Sequence, residues 1–283
     1  MGMRYRFLVV DVFTEERFGG NQLAILPDAD GLSGEQMQQI AREFNFSEST
    51  FVMPPRDVSH TKQVRIFTPT SELPFAGHPN IGTAFALAAL GEIPLSDEAP
   101  VRVQFEEDAG LVPITIAAIG GMPGVCELEA PQPLWRGTQV SSEEMAAALS
   151  LQNEEIVTDT HAPIVASVGL AFLFVEVSDA SALSRSCPPR ENTLCNENDA
   201  TGILLYTRDN VGLPVDLNAR MYAPGEGIVE DPATGSANCA LGALLASYDE
   251  RQDGEFVWSV AQGVDMGRPS VLQARAIKSA GAV

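Results

Sequence analysis

Two stretches of the chain are apolar on every side, and each follows a short polar turn. Residues 81–90 read Ile-Gly-Thr-Ala-Phe-Ala-Leu-Ala-Ala-Leu, and residues 239–246 read Cys-Ala-Leu-Gly-Ala-Leu-Leu-Ala. A helix that is apolar around its whole circumference has to be surrounded by other parts of the protein. We therefore predict two buried helices that begin near Gly77 and Gly235, with Pro79 at the first helical position of the first one.

Most other apolar segments are rich in β-branched and aromatic residues, which is typical of strands. Strands are predicted over residues 6–13, 22–26, 51–53, 64–67, 101–105, 111–118, 125–130, 172–177 and 202–206. Two further strands are predicted near the end of the chain, one before and one after residues 263–269. Surface helices are predicted to begin at Ser33, where Gln36 completes a capping-box pattern, and at Ser142. Residues 184–199 are predicted to form a polar loop. Many strands and two buried helices indicate two sheets, each curled around one helix.

One succession of motifs occurs twice along the chain. Three pairs of segments match in the same order: residues 7–12 with 172–177 at an offset of 165, residues 65–69 with 220–224 at 155, and Gly77-His-Pro-Asn80 with Gly235-Ser-Ala-Asn238 at 158. The period is far too long for a solenoid, so it indicates duplication of a whole domain. We predict domains over residues 1–130 and 131–283, and the end of the chain either stays in the second domain or returns to the first.

The composition excludes several classes of function. The 283 residues carry a net charge of −21, which disfavours binding to nucleic acid or to anionic membranes. No apolar run approaches the length of a membrane span, and no secretory leader is visible. The four irregularly spaced cysteines fit reduced thiols better than a disulfide framework. We therefore expect a cytoplasmic globular protein, whose acidity reflects either a salt-rich cell interior or solubility alone.

The two helix openings are the predicted binding site. Unpaired backbone N–H groups and the positive end of the helix dipole attract anions to a helix N-terminus. We expect both openings to face one cleft between the domains and to hold a small carboxylate there. Glu48, His78 and Asp231 are expected to converge on this cleft, and Ser236 is expected to donate to the carboxylate.

Each charged candidate also has a structural alternative. Glu48 is either a solvated loop carboxylate or a catalytic group displayed by the scaffold. Asp231 caps the following helix, forms an Asx-type turn across Pro232, or acts in catalysis, although capping does not explain the acidic residue directly before it. His78 is either a structural histidine or a functional one at a buried helix start. Arg65 and Arg220 either make the site locally positive or pack structurally.

Other types of site find little support. Thr234-Gly-Ser236 lacks the lysine of a phosphate-binding P-loop and the flanking glycines of a serine-nucleophile turn. No cluster of His, Cys and acidic residues has metal-ligand spacing, so no metal is expected. Residues 120–124 are glycine-rich but do not form a dinucleotide fingerprint, and we read them as a connection between strands. No cofactor is expected.

Six motifs spread along the chain carry a family resemblance: the Gly-Gly-Asn21 turn, Asn45-Phe-Ser-Glu48, Phe67-Thr-Pro69, Phe75-Ala-Gly-His-Pro79, Glu230-Asp-Pro-Ala-Thr-Gly-Ser236 and Gln262-Gly-Val-Asp-Met-Gly-Arg-Pro269. Together they resemble the PhzF family of phenazine-biosynthesis-type isomerases, from about residue 5 to about residue 275. The resemblance implies the α+β fold of the diaminopimelate epimerase-like superfamily. In that fold two pseudo-symmetric domains each wrap a barrel-like β-sheet around a central α-helix.

The resemblance also implies the roles of individual residues. The implied site comprises the catalytic residues Glu48, His78 and Asp231, with Glu48 as the general acid and base, and the substrate-binding residues Asn21, Ser47, Gly77, Gly235 and Ser236. Epimerases and proline racemases of the wider superfamily carry a cysteine at each helix opening. Here Gly77-His78 and Asp231 occupy those places and Cys239 lies inside the second helix, which disfavours racemisation by thiols.

We accordingly expect a cofactor-independent isomerase that moves a proton on a small carboxylate similar to trans-2,3-dihydro-3-hydroxyanthranilate. One alternative is an amino-acid racemase or epimerase of the same fold that uses Glu48 or Asp231 instead of thiols. The other is a catalytically silent small-molecule-binding protein, against which the joint presence of Glu48, His78, Asp231 and Ser236 argues. The expected assembly is a homodimer.

Overall fold

The computed structural model describes residues 3–210, 212–226 and 228–283, which contain seventeen strands and six α-helices. The strands are β1 (Leu8–Val12), β2 (Asn21–Leu26), β3 (Glu48–Met53), β4 (Lys62–Phe67), β5 (Glu72–Leu73), β6 (Val101–Glu107), β7 (Gly110–Ile119), β8 (Met122–Leu128), β9 (Trp135–Gln139), β10 (Ile156–Val157), β11 (Ile164–Ser167), β12 (Ala171–Val177), β13 (Ile203–Thr207), β14 (Leu217–Ala223), β15 (Ile228–Asp231), β16 (Gly254–Gln262) and β17 (Ser270–Lys278). The α-helices are α1 (Gly34–Phe44), α2 (Gly77–Ala89), α3 (Ser142–Leu149), α4 (Ala180–Arg185), α5 (Thr193–Glu197) and α6 (Gly235–Tyr248), and 3₁₀ turns cover Asn153–Glu155 and Pro224–Glu226.

These elements form two compact units. The first unit comprises the chain up to Val12 together with Asn21–Glu129, and the second comprises Phe13–Gly20 together with Ala130–Val283. The last two strands, β16 and β17, belong to the sheet of the second unit. In the part of the chain that is described, no helix has both the length and the apolar character that crossing a membrane requires.

The segment Phe13–Gly20 is tied to the turn that joins β16 to β17. The N–H group of Val271 donates to the Phe13 carbonyl at 2.9 Å, and the N–H group of Gly20 donates to the Pro269 carbonyl at 3.0 Å. The Arg268 side chain donates from Nε to the carbonyl of Gly20 at 2.8 Å. The turn motif that ends at Pro269 therefore has a structural role, because it anchors residues 13–20 within the second unit.

The sheet of the first unit curls around helix α2. Among the described residues its eight strands follow the order β1-β2-β3-β4-β6-β7-β8, with β5 paired to β4. Successive pairs along this order are antiparallel, parallel, antiparallel, parallel, antiparallel and antiparallel. Helix α2 packs against β1 and β2 from one end of the order and against β7 and β8 from the other. Because strands from both ends contact the same helix, the sheet wraps around it.

Helix α2 lies very close to the strands at Gly82. A Cβ atom at this position would lie 2.7 Å from side-chain carbons of both Leu23 and Val12, which only glycine avoids. The helix is not covered on every side, however, since Phe85 is 41% exposed and Leu90 is 37% exposed. The apolar stretch therefore predicted the buried helix correctly but overstated how completely it is enclosed.

The second unit repeats this arrangement around helix α6. Its nine described strands follow the order β17-β16-β14-β13-β12-β11-β9, with β10 paired to β12 and β15 paired to β14. From β11 to β17 the pairs are antiparallel, parallel, antiparallel, parallel and antiparallel, the same succession as from β1 to β7. Helix α6 packs against β16 and β17 and against β11 and β12. The predicted fold, two similar units each with a sheet wrapped around one helix, is confirmed.

One of the three repeat matches was wrong. The shared succession of pairs makes β1 the counterpart of β11, and β2 the counterpart of β12. Residues 7–12 contain β1 whereas residues 172–177 lie in β12, so that match joined strands that are not equivalent. Buried apolar strands resemble one another whatever their place in a sheet, which explains the error. The other two matches join β4 with β14 and α2 with α6, in agreement with the topology.

Local predictions succeeded where a side chain caps a helix. Ser33 and Gln36 form the predicted capping box of α1. Helix α3 begins at Ser142 as predicted, and Ser141 is its N-cap.

Two other local predictions were wrong. Pro79 is the third residue of α2 rather than the first, a position that suits proline because the first four N–H groups of a helix lack intrahelical partners. Residues 184–199 are not all loop, since they include the end of α4 and the whole of α5. The N-cap of α4 is Asp179, whose side chain accepts from the N–H group of Ala182 at 2.8 Å. This residue lies before residues 184–199, so the predicted loop did not include the signal for the helix.

Candidate active site

In the first unit the structure brings together Glu48, His78 and Asn21. Glu48 begins β3 and Asn21 begins the neighbouring parallel strand β2, so both lie at the same end of the sheet. His78 is the second residue of α2. Its Nε2 atom lies 3.5 Å from Oε2 of Glu48, and its Nδ1 atom lies 3.4 Å from Nδ2 of Asn21. Glu48 is therefore not a solvated loop carboxylate, because it is only 9% exposed.

His78 is a neutral imidazole at physiological pH. Burial lowers the pKa of His78 from 6.5 to about 3, and a hydrogen bond with the backbone of Gln22 offsets only part of that shift. The contact between His78 and Glu48 is therefore one between a neutral ring and a carboxyl group rather than an ion pair. A neutral ring at this place leaves the helix opening without an added cationic side chain, so the positive potential there comes from the helix end itself.

The buried neutral state of His78 predicts a pH dependence of stability. The unfolded chain binds a proton at His78 below pH 6.5, whereas the folded chain does so only near pH 3. The free energy of unfolding should therefore fall as the pH falls from 6.5 to 3, by up to about 1.4 kcal/mol per pH unit from this residue. Denaturant titrations should show a shallower decline in His78→Asn, with some slope left because burial also lowers the pKa of His161. Equal slopes would contradict a buried neutral His78.

The remaining predicted residues of the first unit frame the start of α2. Gly77 is the first helical residue and is buried, and Ser47 is partly buried in the bend before β3. Ala76 occupies the N-cap position, and its side chain makes no hydrogen bond to the helix. No capping side chain therefore competes with a bound anion for the first N–H groups of α2.

In the second unit Asp231 lies at the end of β15, directly before α6. It is 8% exposed, and its Oδ2 atom accepts a hydrogen bond from Oγ1 of Thr234 at 2.5 Å. Thr234 is the N-cap of α6, yet its side chain makes no capping bond to the helix. The N-cap position of α6 therefore belongs to Thr234 rather than to Asp231. Gly235 and Ser236, the first two residues of α6, are partly buried and follow this uncapped start.

Gln262 fixes the opening of α6, a role that the sequence reasoning missed. This fully buried residue ends β16, and its Nε2 atom donates to the Asp231 carbonyl at 2.8 Å and to Oγ1 of Thr234 at 3.1 Å. Its Oε1 atom accepts from Nδ2 of Asn238 at 2.7 Å. Asn238 also donates to the Thr234 carbonyl at 3.0 Å. One amide thus joins the strand end, the N-cap and the first turn of the helix.

The two arginines serve the structure rather than the site. Nε of Arg65 donates to Glu72 at 2.5 Å, and a second bond of 2.7 Å completes a bidentate pair. Arg220 binds Glu230 in the same way with two bonds of 2.8 Å. Each guanidinium group is therefore neutralised by a glutamate. The pairing also explains why an acidic residue precedes Asp231.

Within the described residues no group of three or more His, Cys, Asp or Glu side chains is arranged to hold a metal ion. Cys126, Cys187 and Cys195 are free thiols, and Cys239 is partly buried as the fifth residue of α6. Neither helix opening carries a cysteine, so the thiol pair of racemases has no counterpart at these positions.

Comparison with known proteins identifies the family. The sequence model of the family described as "Phenazine biosynthesis-like protein" (PhzC-PhzF) matches residues 10–282. The chain belongs to this family. Among the curated relatives, trans-2,3-dihydro-3-hydroxyanthranilate isomerase from Pseudomonas aeruginosa is 36% identical over 272 residues, which cover 96% of this chain and 90% of the relative.

Solved structures show the same fold. A PhzF-family protein from Bacillus anthracis superposes with a TM-score of 0.82 at 23% identity, covering 98% of both chains. A probable proline racemase from Agrobacterium radiobacter superposes with a TM-score of 0.60 at 14% identity, covering 95% of this chain and 89% of that one. The chain thus shares its fold both with a PhzF-family protein and with a probable proline racemase, as the motifs predicted.

Proposed function

We propose that this chain is an isomerase that transfers a proton between carbons of a small carboxylate of the trans-2,3-dihydro-3-hydroxyanthranilate class. The observation that carries the proposal is the contact between Glu48 and the neutral His78 at the uncapped start of α2. The name of the curated relative, which aligns with nearly the whole chain, supports the choice of substrate class.

In the proposed reaction Glu48 is the base and then the acid. Its carboxylate takes a proton from a saturated ring carbon next to the conjugated double bonds, and the electron pair of the broken C–H bond enters that conjugated system. The protonated Glu48 then returns a proton to a different ring carbon, so the product is an isomer and no atom is gained or lost. The Nε2 atom of His78 lies 3.5 Å from this carboxyl group, and we assign it the role of orienting the group when substrate binds. Positioned acid–base catalysis contributes roughly 10²–10⁴-fold to a rate.

Substrate binding is assigned to the helix starts and the polar groups beside them. The N–H groups of Gly235 and Ser236 and the Ser236 hydroxyl are the proposed donors to the substrate carboxylate, since an uncapped helix start binds anions without a cationic side chain. Asp231 holds the Thr234 hydroxyl away from these N–H groups. In the first unit Asn21, Ser47 and Gly77 are the proposed contacts to the rest of the substrate.

A direct assay tests the substrate class. Purified protein is incubated with trans-2,3-dihydro-3-hydroxyanthranilate, and the ring protons are followed by NMR. We expect conversion to an isomer of the same mass, with no added metal or cofactor. Proline and other amino acids serve as comparison substrates, and loss of their α-hydrogen to deuterated water would report racemisation. Folded protein that leaves the dihydroaromatic acid unchanged, or that exchanges only the α-hydrogen of an amino acid, would contradict the proposal.

A further inference from the structure

A second acidic residue at the start of α2 has no role in the reaction above. Glu107 ends β6 and lies on the inner face of that strand with Val103 and Phe105, which are both buried. It is 9% exposed, and neither of its carboxylate oxygens has a hydrogen-bond partner of standard geometry. The side chain of Asn80, in the first turn of α2, lies next to it.

The orientation of the Asn80 side chain is fixed by the helix. Its Nδ2 atom donates to the Ala76 carbonyl at 2.9 Å, which spans the first turn of α2. The amide oxygen therefore points away from that carbonyl, and this buried Oδ1 atom also lacks a partner. A buried carboxyl group without a hydrogen-bond donor of standard geometry is costly when it is ionised, and protonation removes that cost.

The neighbouring residue Glu106 shows that a carboxyl group at this end of β6 can find hydrogen-bond partners. Glu106 accepts hydrogen bonds from the N–H groups of Arg56 and Asp57 at 2.9 Å each, and His60 lies 2.7 Å from it. These bonds lower the pKa of Glu106. Burial instead raises the pKa of Glu107 to about 8, against an opposing effect of Asn80. The surroundings thus shift the pKa values of these two adjacent carboxyl groups in opposite directions.

The second unit contains an uncharged counterpart of Glu107. Gln262 ends β16 as Glu107 ends β6, and the two positions differ by 155, the offset that also separates Arg65 from Arg220. Gln262 contacts Asn238, which spans the first turn of α6 as Asn80 spans that of α2. The Gln262 amide accepts from Asn238 without carrying a charge, and the protonated acid is the uncharged form of a carboxyl group.

We propose that Glu107 is a positioning residue that remains a neutral acid and, through Asn80, holds the first turn of α2 in the way that Gln262 holds the first turn of α6. The carboxyl oxygen accepts from the Asn80 amide as Oε1 of Gln262 accepts from Asn238, so Gly77 and His78 keep their orientation. Ionisation would place a negative charge beside the start of α2, where Gly77 is a proposed contact to the substrate. The effect on substrate rests on the proposed function, whereas the protonation state does not.

The charged and titratable groups on the surrounding elements are Glu48 on β3, Arg65 on β4 with its partner Glu72 on β5, His78 on α2, Glu106 on β6 and Asp108 in the turn after β6. His78 is neutral throughout the alkaline range because its pKa is about 3. Asp108 acts on Glu107 in the same direction as burial and favours the neutral acid.

The first arm of the test does not depend on catalysis. Carbon-13 NMR of protein labelled in its glutamate carboxyl groups should show one resonance that titrates near pH 8 in the wild type and is missing from Glu107→Gln. The Tm of Glu107→Gln should also exceed that of the wild type increasingly from pH 5 to pH 8. The reason is that the unfolded wild-type chain releases the Glu107 proton in this range and the folded chain does not. Absence of such a resonance would overturn the proposal.

The second arm of the test measures how the protonation state of Glu107 affects substrate binding, through the pH dependence of KM. In the wild type KM should rise roughly threefold or more between pH 7 and pH 9.5 while kcat changes little, since a new negative charge at the start of α2 disfavours binding of an anionic substrate. Glu107→Gln should keep a low KM across this range, and Glu107→Leu should have a raised KM at every pH. An unchanged alkaline rise in Glu107→Gln, or a wild-type KM in folded Glu107→Leu, would overturn the positioning role. If the wild type turns over no substrate, the first arm still decides the protonation state, and the failure belongs to the proposed function.

Discussion

Replacing Glu48 by Gln is expected to leave the protein folded and to lower its turnover by roughly 10²–10⁴-fold. Glutamine keeps the size of the side chain and its capacity for hydrogen bonds beside His78, but it cannot accept the substrate proton. Binding of a dihydroaromatic carboxylate should persist in calorimetry, because the proposed anchoring groups are backbone N–H groups and the Ser236 hydroxyl. Steady-state rates, thermal unfolding and calorimetry on the same preparation separate loss of chemistry from loss of fold.

A matched control for this variant is Glu35→Gln. Glu35 is an exposed glutamate in the first turn of α1, in the same unit. The substitution removes the same charge from the chain, and its turnover should equal that of the wild type. A folded Glu48→Gln protein with near-wild-type isomerisation would refute the assignment of the base, and Asp231 would then become the leading candidate.

Replacing Arg220 by Met is expected to lower the free energy of unfolding by about 3–5 kcal/mol. The Arg220 side chain is 13% exposed and pairs with Glu230, which is 15% exposed. The guanidinium group also donates to three backbone carbonyls, those of Leu183, Ser184 and Ser186. Removal of the arginine would leave a largely buried carboxylate and these carbonyls without their donor. Denaturant unfolding of the folded variant measures the loss.

The control for Arg220→Met is Arg102→Gln in an exposed pair. Arg102 lies 3.7 Å from Glu129, with side chains that are 64% and 76% exposed, so the cost should stay within about 1 kcal/mol. Combining Arg220→Met with Glu230→Gln should recover part of the stability, since the unpaired charge is then removed as well. If Arg220→Met costs no more than the exposed control, the pair is not the buried support that its geometry indicates.

The sequence predicted those features that depend on local pattern. The helices around Gly82 and Gly242 could be found because an apolar stretch with a polar opening has few other solutions. The capping box at Ser33 depends on two residues three positions apart, so it too was visible. The match of β4 with β14 was reliable because it included a conspicuous arginine and aromatic pair. Arg65 lies over Phe67 at 5.1 Å, and Arg220 lies over Tyr222 at 5.2 Å.

What the sequence left open depends on burial and on contacts between distant segments. The neutral state of His78 follows from its enclosure in the first unit, which no local pattern reveals. The roles of Glu107 and Gln262 were missed because neither lies in the helix-opening motifs that drew attention. The sequence signal was that the two residues are 155 positions apart, the same offset as Arg65 and Arg220. This offset can be interpreted only when strands β6 and β16 are known to be equivalent.

Glu48 is the group proposed to break a C–H bond of the substrate, and an isotope label tests this role most directly. Trans-2,3-dihydro-3-hydroxyanthranilate carrying deuterium at the carbon that loses its proton is incubated with the wild type, Glu48→Gln and Glu35→Gln, and the label is followed by deuterium NMR. We predict that the label leaves that carbon in the wild type and in Glu35→Gln, and that it stays in place in Glu48→Gln. Loss of the label at the wild-type rate in folded Glu48→Gln would contradict the central claim.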